Sequence, residues 1–217
     1  MEFVFKIVLI IHIIAGCISL STGTINLFRK KGDTLHRKVG IFFFISMIVN
    51  AVAGFILALL HTNVFLLIIA VFSFYLTTSG QRYLKLKRID KGQEPTVFDW
   101  MLTLTMAVFA VAFILYGFYE WANNNTFGIV LLVFGSISML MVKKDFTTFR
   151  GTIIHRNYWI MLHIQRMTAA YIASLTAFLV VNNTYLPSLV AWLLPTVIFT
   201  PLIIYWSKKY THKMIKR

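Results

Sequence analysis

The sequence predicts an all-α polytopic membrane bundle of seven transmembrane helices, with the N-terminus outside and the C-terminus cytoplasmic. Three observations carry this. Uncharged apolar stretches run from 7 to 28, 39 to 81, 100 to 119, 121 to 142 and 167 to 207. A hydrocarbon core of about 30 Å takes roughly 20 residues per helix, so three stretches fit one span each and two are long enough for a pair. The two long ones each carry a polar break, His61-Thr62-Asn63 and Asn182-Asn183-Thr184, and are read as helix hairpins.

The spans fall at about 4–27, 39–60, 64–83, 98–118, 125–142, 158–181 and 186–206. The first ends at Arg29-Lys30-Lys31, and the second opens after Arg37-Lys38 and stops at the His61 break, where the third begins. Arg82 closes the third span and Asp99 opens the fourth, and Asn124-Asn125-Thr126 turns the chain into the fifth. Asn157-Tyr158-Trp159 leads into the sixth, and the seventh contains Pro195 and Pro201, which would kink it. The longest loop, about 84–97, holds Lys91-Gly92-Gln93-Glu94-Pro95, a turn that connects two helices. The chain therefore reads as one transmembrane domain over 1–217.

Orientation comes from the basic residues. Arg29 to Lys38, Arg82 to Lys91, Lys143 to Arg156 and Lys208 to Arg217 together hold 19 of the 21 Lys and Arg, all on one side. By the positive-inside rule that side is cytoplasmic, and an odd number of spans then puts the N-terminus outside. The abundance of isoleucine, lysine and asparagine suits a bacterial genome of low GC content, which makes the membrane the inner, cytoplasmic one.

A net charge of +14 raises nucleic acid as a partner, but the charge is spread over short loops beside spans instead of forming one face. It reads as a topology signal with attraction to membrane lipids of anionic headgroup, with no nucleic acid as partner; a membrane protein partner or a homo-oligomer is the remaining class. One cysteine excludes an internal disulfide framework. No GxxxxGK[ST] loop is present, which argues against an ATP-driven pump in this chain. Ile14-Ala15-Gly16-Cys17 resembles a lipoprotein cleavage box, yet the segment stays apolar beyond Cys17, and cleavage would move every later basic loop to the wrong side. The first span is therefore expected to stay intact.

Any chemistry should come from polar groups within or beside the spans, where their placement costs energy. His12 lies in the outer half of the first span, and Gly16, Ser19 and Gly23 follow on the same helical face, with little side-chain bulk. That face can take a neighbouring helix or a flat cofactor such as haem. Gly32-Asp33 makes a tight turn before His36, which could serve as ligand or proton carrier, with Arg37 as an anion contact. His163 and Arg166 open the sixth span, where Arg166 either snorkels to the headgroups or turns inward. Arg82, Asp99, Asp145 and His155 collect at the same depth, and Arg82 and Arg166 are expected to pair with Asp99 or Asp145. The alternative to a structural clamp is a site where His36, His155 and His163 hold a metal or haem b, with the arginines on a propionate or headgroup. No tight ligand spacing such as HxxxH supports the metal.

His12 with Gly16, Lys31-Gly32 with His36-Arg37 and Gly40, Gly80 with Arg82, and His163 with Arg166-Met167 resemble an uncharacterised bacterial family of multi-spanning membrane proteins. The resemblance implies the architecture and no assigned reaction. The front portion, His12 to Gly40, is more loosely similar to transmembrane b-type cytochromes that use histidine pairs. Two functions follow as expectations. One is a haem-binding or redox membrane protein, which requires two histidines at equal depth on facing helices. The other is a small transporter or non-enzymatic accessory subunit with a structural cytoplasmic charge cluster and a movable seventh helix. A lipid-modifying enzyme lacks a nucleophile with a base at useful spacing.

Overall fold

Water is unavailable to the backbone in hydrocarbon, so apolar segments of this length fold as helices, and the described residues contain seven long ones and no strand. The computed structural model describes residues 2–152 and 157–215, and side chains up to 210. The helices are α1 (Glu2–Phe28), α2 (Thr34–Leu60), α3 (Val64–Tyr83), α4 (Val97–Ala122), α5 (Phe127–Phe149), α6 (Tyr158–Val181) and α7 (Ser188–Ile215). Each is long and apolar enough to cross a membrane. The chain is thus a multi-pass membrane bundle, with lipid-facing apolar residues such as Ile10, Phe42, Leu104 and Val108 on its outside.

Four helices run further than the apolar stretches alone suggest, each for a local reason. α2 starts at Thr34 because Asp33 caps it, accepting from the His36 backbone N–H at 2.6 Å. Gly32, at φ 84°, supplies the left-handed turn that brings Asp33 into place. α4 starts at Val97 because Thr96 and Asp99 form a capping box, the Asp99 carboxylate accepting from the Thr96 N–H at 2.8 Å. α5 runs to Phe149, not 142, because Asp145 finds its partners inside the bundle and Lys144 Nζ donates to Gln165 Oε1 at 2.9 Å. α7 carries on to Ile215 through Lys208 and Lys209. Asn63 caps α3 after the expected break, accepting from the Leu66 N–H at 3.1 Å.

Small residues set the helix contacts. Along the α1–α2 hairpin, Phe5 meets His61, His12 meets Gly54, Gly16 meets Asn50 and Asn26 meets Gly40. Every advance along α1 is matched by an equal retreat along α2, so one antiparallel register holds from end to end. Gly117, Gly128 and Gly135 let α4 and α5 approach until a Cβ on Gly128 would sit 2.5 Å from the Trp121 backbone nitrogen. Phe72, Leu76, Met106, Leu131, Phe134 and Trp192 fill the centre. α1 is the least embedded helix and buries only Ala15, Ser19 and Gly23, the small-residue stripe turned toward α2 and α6.

Candidate functional site

Besides the exposed Arg29–Asp33 pair of the first basic loop, two ion pairs lie at the end of the bundle that carries the basic loops. The deeper joins Arg166 of α6 to Asp145 of α5, Nη2 to Oδ1 at 2.5 Å, both side chains 1% exposed. A lone carboxylate here would be untenable, and four donors converge on it. Tyr75 O–H reaches Oδ2 at 2.6 Å, Tyr83 O–H reaches Oδ1 at 2.5 Å and Thr103 O–H reaches Oδ2 at 3.2 Å, besides Arg166 itself. Arg166 also donates to the Met141 carbonyl at 2.9 Å and stacks 4.9 Å from the Tyr75 ring centre. Arg166 therefore turns inward and does not snorkel: Asp145 lies on the same helical extension that carries α5 past 142. The network ties α3, α4, α5 and α6 together.

The outer pair is Arg82 with Asp99, a two-pronged contact at 2.6 Å from Nε and 2.7 Å from Nη2. It fixes the end of α3 to the start of α4. Arg82 also donates to Thr96 Oγ1 at 3.1 Å, so one cluster closes the α4 capping box and the helix pair together.

Three of the six histidines form two stations, His12 on one side and His36 with His163 on the other. His12 pairs its Nδ1 with the Asn50 carbonyl at 3.0 Å, and His163 pairs its Nδ1 with the Gly80 carbonyl at 2.9 Å. A carbonyl can only accept, so Nδ1 carries the hydrogen in both rings and Nε2 of the neutral form is an acceptor. His36 lies close enough to His163 to interact with it electrostatically, and with Lys31, Asp33 and Arg37 as well. Its buried Nδ1 has no hydrogen-bond partner among the described residues. Arg37 donates to the Gly32 carbonyl at 3.2 Å and so braces the same turn. His155 lies outside the described residues.

Lys31 lies near enough to His36 for the two charges to interact. Its Nζ donates to the carbonyls of Asn26 at 2.6 Å and Leu27 at 2.8 Å, at the end of α1, and sits 4.1 Å from the Trp206 ring centre of α7. Burial pushes this ammonium down to about 8.

Between the two stations runs a polar seam through the α1, α2 and α6 contact. Asn50 Oδ1 and Asn26 Oδ1 are buried and unpartnered among the described residues. Ser19 Oγ meets Ser174 Oγ at 3.2 Å, and Thr24 Oγ1 meets Tyr171 Oη at 2.9 Å. From His12 to Asn26 the seam follows 14 residues of α1, about 21 Å at 1.5 Å per residue. One constriction interrupts it: a Cβ at Gly23 would lie 2.4 Å from Tyr171 Cδ2 and 3.0 Å from Phe43 Cε2. Asn26, Asn50, Thr24 and Tyr171 are absent from the sequence-derived site. Asparagine in mid-span is the signal that could have found Asn50; Asn26 lies at the end of α1, where a polar residue draws no attention.

Nothing among the described residues supports haem b. His36 feels the charge of His163, Lys31 and Arg37, so these groups share one neighbourhood. A porphyrin also needs a slot opening on its ligands. The cavity of about 440 Å³ between α2, α3 and α4 and the one of about 500 Å³ beside α4 and α5 are lined by no histidine. Among the described residues no three metal-ligating side chains converge on one point. Arg82 and Arg166, expected as propionate contacts, are engaged by Asp99 and Asp145.

Compared with known proteins, the chain matches no family model, no curated protein and no solved structure.

Proposed function

We propose that the chain is a small transporter of the bacterial cytoplasmic membrane whose pathway follows the polar seam between α1, α2 and α6. One observation carries this reading: Asn50 Oδ1, Asn26 Oδ1 and His36 Nδ1, all on α1 and α2, are buried atoms without a hydrogen-bond partner among the described residues. Unsatisfied polar atoms in hydrocarbon each cost several kcal/mol by general reckoning, and water or a passing solute would relieve them.

The positive-inside rule puts His36, His163 and the basic loops on the cytoplasmic face, and His12 toward the outside. The Arg166–Asp145 network is then a fixed frame that holds α6, and with it Tyr171 and His163, against α3 to α5. In this reading the close contact of Tyr171 and Phe43 with Gly23 serves as the gate. α7 packs behind that gate, Phe199 edge-on to Tyr171 at 5.7 Å between ring centres. Pro201 lies two residues beyond Phe199, and with Pro195 it removes backbone donors from the helix, so α7 can bend where it backs the gate.

Cysteine accessibility tests the pathway. In a Cys17→Ser background, Asn26→Cys is expected to react with a small charged thiol reagent added from the cytoplasmic side, and Asn50→Cys with the same reagent added from outside. Lipid-facing controls, Ile10→Cys and Phe42→Cys, stay unreactive. Failure of both seam positions to react from either side would rule out the pathway.

A further inference from the structure

We infer that the groove between α4 and α5, at the end of the bundle that carries the basic loops, is a site for one anionic phospholipid, with its phosphate on Lys143 and Arg150 and an acyl chain on Met139, Val142 and Ala107. None of these residues belongs to the seam, so the inference stands apart from the pathway proposed above.

The groove follows from how the two helices meet. Away from the basic loops they touch through glycine: a Cβ on Gly135 would lie 3.1 Å from the Ala110 carbonyl oxygen. Towards the loops they meet through rings, Trp100 edge-on to Phe146 at 5.4 Å between centres and to Phe149 at 5.2 Å. Rings hold two helix axes further apart than glycine does, and the space left beside α4 and α5 is the cavity of about 500 Å³. From Met139 to Arg150 it follows 11 residues of α5, about 16 Å at 1.5 Å per residue.

The wall changes character along that length. Met139, Val142 and Ala107 line the deep end and present only carbon and sulfur. Lys143, Thr147, Arg150 and Thr152 line the part nearer the loops. Lys143, Thr147 and Arg150 stand at i, i+4 and i+7, so the three share one face of α5. An amphiphile matches such a gradient, and the volume lies within the range of about 300–1,000 Å³ usual for small-ligand sites.

No protein carboxylate neutralises the polar end. The ion pairs among the described residues are Arg29 with Asp33, Arg82 with Asp99 and Arg166 with Asp145, and neither Lys143 nor Arg150 takes part. Asp145, two residues from Lys143 in sequence, is buried in the bundle with Arg166. The hydroxyls of Thr147 and Thr152 donate to the backbone carbonyls of Lys144 at 2.9 Å and Thr147 at 2.5 Å, so their hydrogens are already used. Recognition of a headgroup therefore falls to the two cations. The Arg150 guanidinium carbon lies 5.8 Å from the ring centre of Phe146, which lines the same cavity, and this contact keeps the guanidinium beside it. A guanidinium offers paired donors to a phosphate, and Lys143 adds a point charge on a stem long enough to reach the interface. Basic pockets between spans on the cytoplasmic side suit anionic headgroups. A zwitterionic lipid carries its own ammonium beside the phosphate and gains less from two cations.

The test is native mass spectrometry of the full chain in mild detergent, titrated with phosphatidylglycerol or with phosphatidylcholine of the same acyl chains. One phosphatidylglycerol is expected to bind well ahead of phosphatidylcholine, and excess glycerol 3-phosphate should not displace it, because it has no acyl chain to place in the apolar end. Lys143→Gln with Arg150→Gln should weaken that first binding roughly tenfold or more, at the general worth of basic residues beside anionic lipid. Ala107→Trp fills the apolar end and should weaken it with both cations in place. Lys208→Gln with Lys209→Gln removes as much charge from α7, outside the groove, and should leave it unchanged. Elution as a monodisperse species with unaltered thermal unfolding shows that each variant is folded. Equal binding of the two lipids, or displacement by glycerol 3-phosphate, overturns the assignment on the unaltered chain alone. A loss as large in the α7 pair as in the groove pair overturns it too, since bulk charge would then account for the binding.

Discussion

Tyr171 occupies the space beside Gly23, its Cδ2 standing 2.4 Å from where a Cβ on that glycine would be. α1 and α6 can close on each other only because residue 23 has no side chain. Gly23→Ala must push the Tyr171 ring or part the helices, and overpacking of this kind costs about 1–3 kcal/mol. Thermal unfolding in mild detergent should show that loss. The double variant with Tyr171→Ala should recover part of it, and a purely additive double variant would mean that the two residues do not press on each other.

The buried pair makes a second prediction. Asp145→Ala leaves the Arg166 guanidinium uncompensated, and Arg166→Leu leaves the carboxylate with only hydroxyl donors. Each single change should cost about 3–5 kcal/mol. The double replacement should cost much less than the sum, because neither charge is then stranded. Denaturant unfolding of the four proteins gives the coupling directly.

Lys31 makes stability depend on pH in a defined direction. Its ammonium is brought from the ordinary 10.5 to about 8 by burial, so between those values the unfolded chain holds more protons than the folded one. Stability therefore rises with pH across that window, is lowest below about 8, and the gain is complete above 10.5. Lys31→Met should flatten this rise. Unfolding midpoints of both proteins from pH 7 to pH 11 check it, and parallel curves would contradict it.

The transporter proposal needs no cofactor, so a colourless protein is expected. Purified from cells well supplied with haem, the chain should show no Soret band, as isolated or after dithionite. A band that disappears in His36→Ala and His163→Ala would restore the redox reading.

Charge and apolar length made the seven helices legible, because both follow directly from the physics of the bilayer. The partners of Arg82 and Arg166 were also within reach of the sequence, since opposite charges at one depth must pair. The hydroxyls that complete them were not. Tyr75 and Tyr83 look like ordinary apolar and interfacial residues until the rotation of α3 directs both at Asp145. The direction of Arg166 depended on where α5 ended: an end at 142 places Asp145 in a loop, whereas an end at Phe149 places it on the inward face of a helix. The stripe of Gly16, Ser19 and Gly23 after His12 was readable as a close-packing face. That it carries a chain of polar contacts depends on Ser174 and Tyr171, which lie some 150 residues away in sequence but directly opposite in space.

Hydroxyl-radical footprinting of the protein in lipid nanodiscs tests the central claim most directly, since radicals form where water is present. Internal water along the seam should give labelling of Tyr171 and of His12 and His36 well above that of lipid-facing Phe42 and Ile10, and Tyr171→Phe should leave the two histidines labelled. Labelling confined to the loops, with Tyr171 and His12 as protected as Phe42, would mean that the seam is dry and that no pathway runs between α1, α2 and α6.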